Sequence, residues 1–159
     1  CLAAIIISVI TLRQNSKLIE ESSRPIISVY TQAMNPGVPM LYLVVKNFGN
    51  STAYMQKFNS DFDFSNCYKY STTKNYIKEE LSKCVIAPGQ SRVCLLDYEK
   101  IKSVVHFSLE YKSSSKTYNE EFDVDLKAAV DMPTSKYATK DKELLAISYS
   151  LQDILLKNL

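Results

Sequence analysis

The chain of 159 residues has no tryptophan, only three glycines and a single histidine, His106. Gly37, Gly49 and Gly89 stand too far apart to build a phosphate-cradling loop, which needs closely spaced glycines for backbone approach. No nucleophile elbow is present. The four cysteines, Cys1, Cys67, Cys84 and Cys94, contain no C-x-x-C pair, and one histidine cannot complete a zinc set. Charge of one sign is also missing. With 19 basic and 17 acidic side chains the net charge is +2, so no global field draws the protein to nucleic acid or anionic lipid.

What is present is strand-forming. Eleven tyrosines and six phenylalanines accompany a hydrophobic fraction of 46%, which is that of one folded domain with appendages. Alternation with period two recurs from Pro25 to Leu126. In residues 26–34, Ile27, Val29 and Thr31 share a face. Residues 40–48 are apolar on both faces, as a central strand would be. In residues 54–64, Tyr54, Phe58, Phe62 and Phe64 oppose Lys57, Asn59, Asp61 and Asp63. Residues 91–97 form a short strand with Val93 and Leu95 together, and Cys94 is expected to behave as a small buried apolar residue. Val105, Phe107, Leu109 and Tyr111, then Tyr118, Phe122, Val124 and Leu126, predict a hairpin with one buried and one wet face.

Turn residues agree: Asn35-Pro36-Gly37, Asn47-Phe48-Gly49-Asn50 and Pro88-Gly89 fall between strands. Strands with no helix alternating between them predict a mainly β, antiparallel sandwich spanning residues 24–130. Between 65 and 83 the pattern breaks into an insertion, where Tyr76, Ile77 and Leu81 suggest a short helix. Cys67 and Cys84 could be joined across it in an oxidising compartment.

Residues 1–23 form an apolar N-terminal helix with a polar stalk. The run Leu2 to Leu12 is uncharged and apolar all the way round, and turns polar at Arg13. Eleven residues are little over half of a membrane span, so this is expected to be the tail of a span whose beginning precedes Cys1. A lipoprotein cysteine at Cys1 and a cleaved signal peptide fit less well, because the apolar run continues past Cys1 and no small-x-small site follows. Arg13 and Lys17 flank the run, which places the sandwich in the cytoplasm by the positive-inside tendency. Arg24-Pro25 ends the helix.

Residues 131–159 form a linker and an amphipathic helix, from Thr139 onward. Leu144, Ile147, Leu151, Ile154 and Leu155 make its apolar stripe, a candidate interaction surface. We expect the stripe to pack on the chain's own domain. Self-association or a partner helix is the alternative, because Leu144, Ile147, Leu151 and Ile154 keep 3-4 spacing.

Candidates for chemistry are few. His106 falls on a polar strand face with no nucleophile beside it. Asp61-x-Asp63 and Asp123-x-Asp125 are read as solvated faces rather than calcium ligands. Tyr68-Lys69-Tyr70 and Lys74 to Lys78 interleave aromatics with lysine, but Glu79 and Glu80 follow, so a solvated loop is expected rather than a nucleic-acid platform. Asn50-Ser51-Thr52 is a glycosylation sequon, inert in the cytoplasm. No cofactor, metal, nucleic acid or small-molecule ligand is expected, and no enzymatic activity.

Three stretches carry a family resemblance: Ile19 to Pro25 entering a strand, Leu43 to Ala53, and Ile86 to Gln90. Together they resemble a diffuse group of uncharacterised single-pass membrane proteins of Gram-positive bacteria and their mobile elements. The resemblance implies a membrane helix, a stalk ending in Arg-Pro and an immunoglobulin-like sandwich. The resulting expectation is a membrane-anchored, non-enzymatic protein-interaction module. The alternative is an accessory subunit of a membrane oligomer assembled through its terminal helices.

Overall fold

The computed structural model describes residues 2–34, 40–64, 67, 80–129 and 142–157. The expected turn at Asn35-Pro36-Gly37, the aromatic–lysine stretch at 68–78 and the helix start at Thr139 lie outside them. Helix α1 (Leu2–Ser23) leads into seven strands: β1 (Ile27–Met34), β2 (Met40–Asn47), β3 (Ala53–Ser60), β4 (Val85–Ile86), β5 (Ser91–Leu96), β6 (Val104–Lys112) and β7 (Thr117–Asp125). Helix α2 (Lys142–Lys157) closes the described chain.

The strands form two antiparallel sheets, ordered β1-β2-β5 and β4-β3-β6-β7. Their facing sides make one core. Ile27, Val29, Leu43, Val45 and Cys94 enter it from the first sheet, and Ala53, Met55, Phe58, Val105, Phe107, Leu109 and Tyr111 from the second. Phe107 is fully buried at the centre of an aromatic chain, with ring centroids 5.6 Å from Phe58, 6.0 Å from Phe64 and 6.4 Å from Phe122. Such ring pairs add to what area burial alone contributes.

The hairpin is as expected, β6 pairing β7 from Val104↔Asp125 to Lys112↔Thr117. β3 departs from expectation. Its register with β6 shifts between Met55 and Lys57, so an extra residue is accommodated and the facing of everything before it inverts. Ala53 and Met55 therefore join Phe58 in the core, while Tyr54 points outward. Phe62 and Phe64 reach the core from the connection beyond Ser60, where the strand ends. In β5 it is Cys94 and Leu96 that are buried, and Val93 faces out.

From the insertion, Cys67 and Leu81 are buried in the core. The three described cysteines are free thiols, so Cys67 and Cys84 are not joined. Burial raises the pKa of both, which keeps them protonated and poorly nucleophilic.

The docking expected of the C-terminal helix is corrected. Leu144, Ile147, Leu151 and Ile154 are each more than half exposed, and the buried side chain among those described is Tyr149. At about 100° per residue Tyr149 lies on the face opposite the four. The helix thus turns its broad apolar stripe to solvent. The side chain of Leu155 lies outside the described residues.

Candidate functional site

The strand directions bring the ends of α1, β2 and β7's hairpin turn to one end of the sandwich. Chain connections at 24–26, 48–52, 87–90 and 113–116 all gather there. This junction is where the N-terminal helix meets the domain, and it is built around one side chain.

Asn47 is fully buried. Its Oδ1 accepts the N–H of Ile26 at 3.1 Å and of Gly49 at 2.9 Å, and its Nδ2 donates to Ser51 O at 2.7 Å and Ile86 O at 3.0 Å. All four hydrogen-bonding positions of the amide are therefore used on backbone groups of three separate segments. Its own backbone adds bonds between Asn47 N and Gln90 O and between Gly89 N and Asn47 O. Gly89 has φ 72°, which with Pro88 before it and the Gln90 N to Ala87 O bond defines a type II turn. Gly49 is required for a different reason. A Cβ there would stand 2.3 Å from Arg24 O and 2.5 Å from Ile26 N, so only glycine lets the chain pass the strand entry.

The helix is tied in from the outside. Asn50 Nδ2 donates to Ser22 O at 2.9 Å, and Lys116 Nζ lies 3.1 Å from Glu20. Beneath them the Tyr111 hydroxyl donates to Glu120 at 2.8 Å and lies 3.4 Å from Pro25 O. Burial, and then the Glu120 carboxylate, push this phenol far above its ordinary pKa, so it remains a donor. Glu120 falls on the inner face of β7, opposite Leu109, where alternation alone would place an apolar residue.

Beyond the junction α1 touches little. No residue in it is buried, and Leu2, Ile5, Ile6, Ile7, Val9, Ile10 and Leu12 are all exposed. By length and composition it is the described helix long and apolar enough to cross a membrane. Its two hydroxyls in the apolar run are satisfied internally: Ser8 Oγ donates to Ala4 O and Thr11 Oγ1 to Ile7 O, each at 2.9 Å. That arrangement suits a medium that offers no hydrogen bonds.

The other singled-out residues form no reactive group. His106 and Asp123 pair across β6 and β7, Nδ1 to Oδ1 2.8 Å, on the wet face. The hydrogen bond to Asp123 raises the imidazole pKa. Asp61 accepts the His106 N–H at 2.9 Å and faces Lys102, and Asp125 accepts from Ser103 and from the Lys127 N–H. These carboxylates are thus occupied in strand-end bonds. Among the described residues no three acidic, histidine or cysteine side chains group as a metal site. At the junction, by contrast, the turns are visible in the sequence, whereas the central role of Asn47 has no signal in composition or spacing.

No curated protein and no solved structure matches the chain. A family model described as a domain of unknown function, DUF8453, matches residues 1–129, which take in α1, the junction and both sheets but stop short of α2. The chain belongs to that family.

Proposed function

We propose that the protein is a single-pass membrane-anchored, non-enzymatic interaction module, with an immunoglobulin-like sandwich held in the cytoplasm. The observation that carries this is the wholly exposed apolar start of α1 joined to a domain through a buried, fully bonded junction. An apolar helix that its own domain leaves uncovered needs another apolar medium. The strand order supports the immunoglobulin-like reading, since three strands face four, with the short fourth strand paired to the third. Arg13 and Lys17 support the cytoplasmic side. The likeness of the strand entry and turns to single-pass proteins of Gram-positive bacteria and their mobile elements supports the same reading.

A second reading, an accessory subunit of a membrane oligomer assembled through its terminal helices, is favoured by the outward stripe of Leu144, Ile147, Leu151 and Ile154 on α2. Affinity capture of the full chain from detergent-solubilised membranes tests the two together. A reproducible heterologous protein supports the module, and recovery of the chain alone, as a stable oligomer lost on L151Q/I154Q, supports the second reading. Recovery of nothing but monomer counts against both.

A further inference from the structure

The near-neutral net charge conceals a polarised domain. Segments 24–26, 46–53, 85–92 and 112–117, which make up the helix-bearing end, contain Arg24, Lys46, Arg92, Lys112 and Lys116 and no acidic residue. The opposite end differs. Segments 60–63, 97–104 and 125–129 contain Asp61, Asp63, Asp97, Glu99 and Asp125 against Lys100, Lys102 and Lys127. The helix-bearing end also exposes Phe48, beyond β2, with the Lys46 ammonium 5.0 Å from its ring centroid, and Ile26 beside the strand entry. An aromatic ring sharing its face with a lysine is suited to a boundary between water and lipid.

We propose that this end of the sandwich docks on the anionic phospholipid headgroups of the membrane that α1 enters. The proposal rests on the membrane reading above and adds a second contact to it. Geometry sets the distance. α1 projects from this end rather than lying along the sandwich, as the exposure of Leu18 and Ile19 requires. From Arg13 to Ser23 the helix rises about 15 Å. Roughly 5–8 Å of that lies within the headgroup layer. The remaining gap is close to the Debye length of about 8 Å at physiological salt. Lys116 is paired with Glu20 of α1. The other four cations, Arg24, Lys46, Arg92 and Lys112, feel the surface potential of an anionic leaflet at that range, and a helix tilt of about 20° lowers one rim of the end further.

The chain's lack of tryptophan supplies the test. F48W and, at the far end, Y98W each create a sole tryptophan. Full-length protein is reconstituted into vesicles of neutral phosphatidylcholine or of phosphatidylcholine with about 30% phosphatidylglycerol, each with headgroup-spin-labelled lipid as quencher. Quenching of F48W is expected to be at least twofold greater in anionic than in neutral vesicles, to fall to the neutral level in 0.5 M NaCl, and to be lost in F48W/K46E/K112E. Y98W is expected to change little. Equal F48W quenching in both vesicles, or equal quenching of both probes, overturns the docking. Far-UV circular dichroism confirms that each variant is folded, and single reversal at Lys112, which is exposed, repeats the test without touching β2. Flotation with neutral vesicles in high salt reports the anchor separately: a chain that floats but shows no anionic effect keeps the anchor and loses the docking, and one that fails to float loses both.

Discussion

Asn47 ties three backbone segments together through one buried amide. Replacing it by alanine would remove four hydrogen bonds and leave the N–H groups of Ile26 and Gly49 and the carbonyls of Ser51 and Ile86 without their partner. Two of these bonds, to Gly49 N and Ile86 O, are buried, and groups orphaned where water cannot reach cost about 1–3 kcal/mol each, so a loss of about 2–6 kcal/mol is expected for N47A, read as a fall in the urea midpoint. N47D should be at least as damaging, because a carboxylate oxygen would face two carbonyls. His106 gives a milder, pH-dependent effect. Its folded pKa is raised by the bond to Asp123 above the ordinary 6.5. The pair's contribution is therefore complete below pH 6.5 and is lost as the pH rises through the folded pKa. A histidine Cε1–H NMR titration should show the raised midpoint, and D123N should return it toward 6.5.

At the scale of elements, the sequence showed the strands better than it showed their facing. β6 and β7 were legible because their alternation is broken only at Glu120 and their register has no shift. β3 was legible as a strand but misread in its first half, since nothing in Tyr54-Met55-Gln56-Lys57 announces an extra residue. Deleting Gln56 tests the reason. It should leave Met55 opposite Tyr111 and Phe58 opposite Leu109 in an unbroken ladder, both still inward, so the urea midpoint should fall far less than for the loss of a large core side chain. Asn47 was hidden for a similar reason, since an asparagine closing a strand reads as a turn residue whether or not its amide is buried. The C-terminal helix was legible as amphipathic, yet amphipathicity does not say which medium takes the apolar side. L144Q/I147Q should shift the thermal midpoint of the monomer by less than about 2 °C, as for other exposed substitutions. Y149A should lower it clearly, because Tyr149 is buried.

For the whole molecule the expected behaviour follows from one apolar segment and one folded body. In sealed cytoplasm-derived membranes, protease added from the original cytoplasmic side should digest the sandwich without detergent. Inverted exposure, with digestion only from the other side, would reverse the orientation proposed from Arg13 and Lys17. Substituting Ile6→Arg should shift a substantial fraction of the chain from the membrane to the soluble or aggregated fraction, since a central arginine costs about 2.5–3.5 kcal/mol on insertion. The folded body itself should be unaffected, because Ile6 contacts nothing in it.

The junction has a mechanical side as well. Any tug on α1 enters the domain through Pro25 and Ile26, parallel to β1, and the Asn47 clamp holds that entry point. β1 is paired to β2 over its full length, Ile27↔Asn47 to Met34↔Met40. A pull against the far end then loads those eight pairs together in shear, rather than peeling them one at a time.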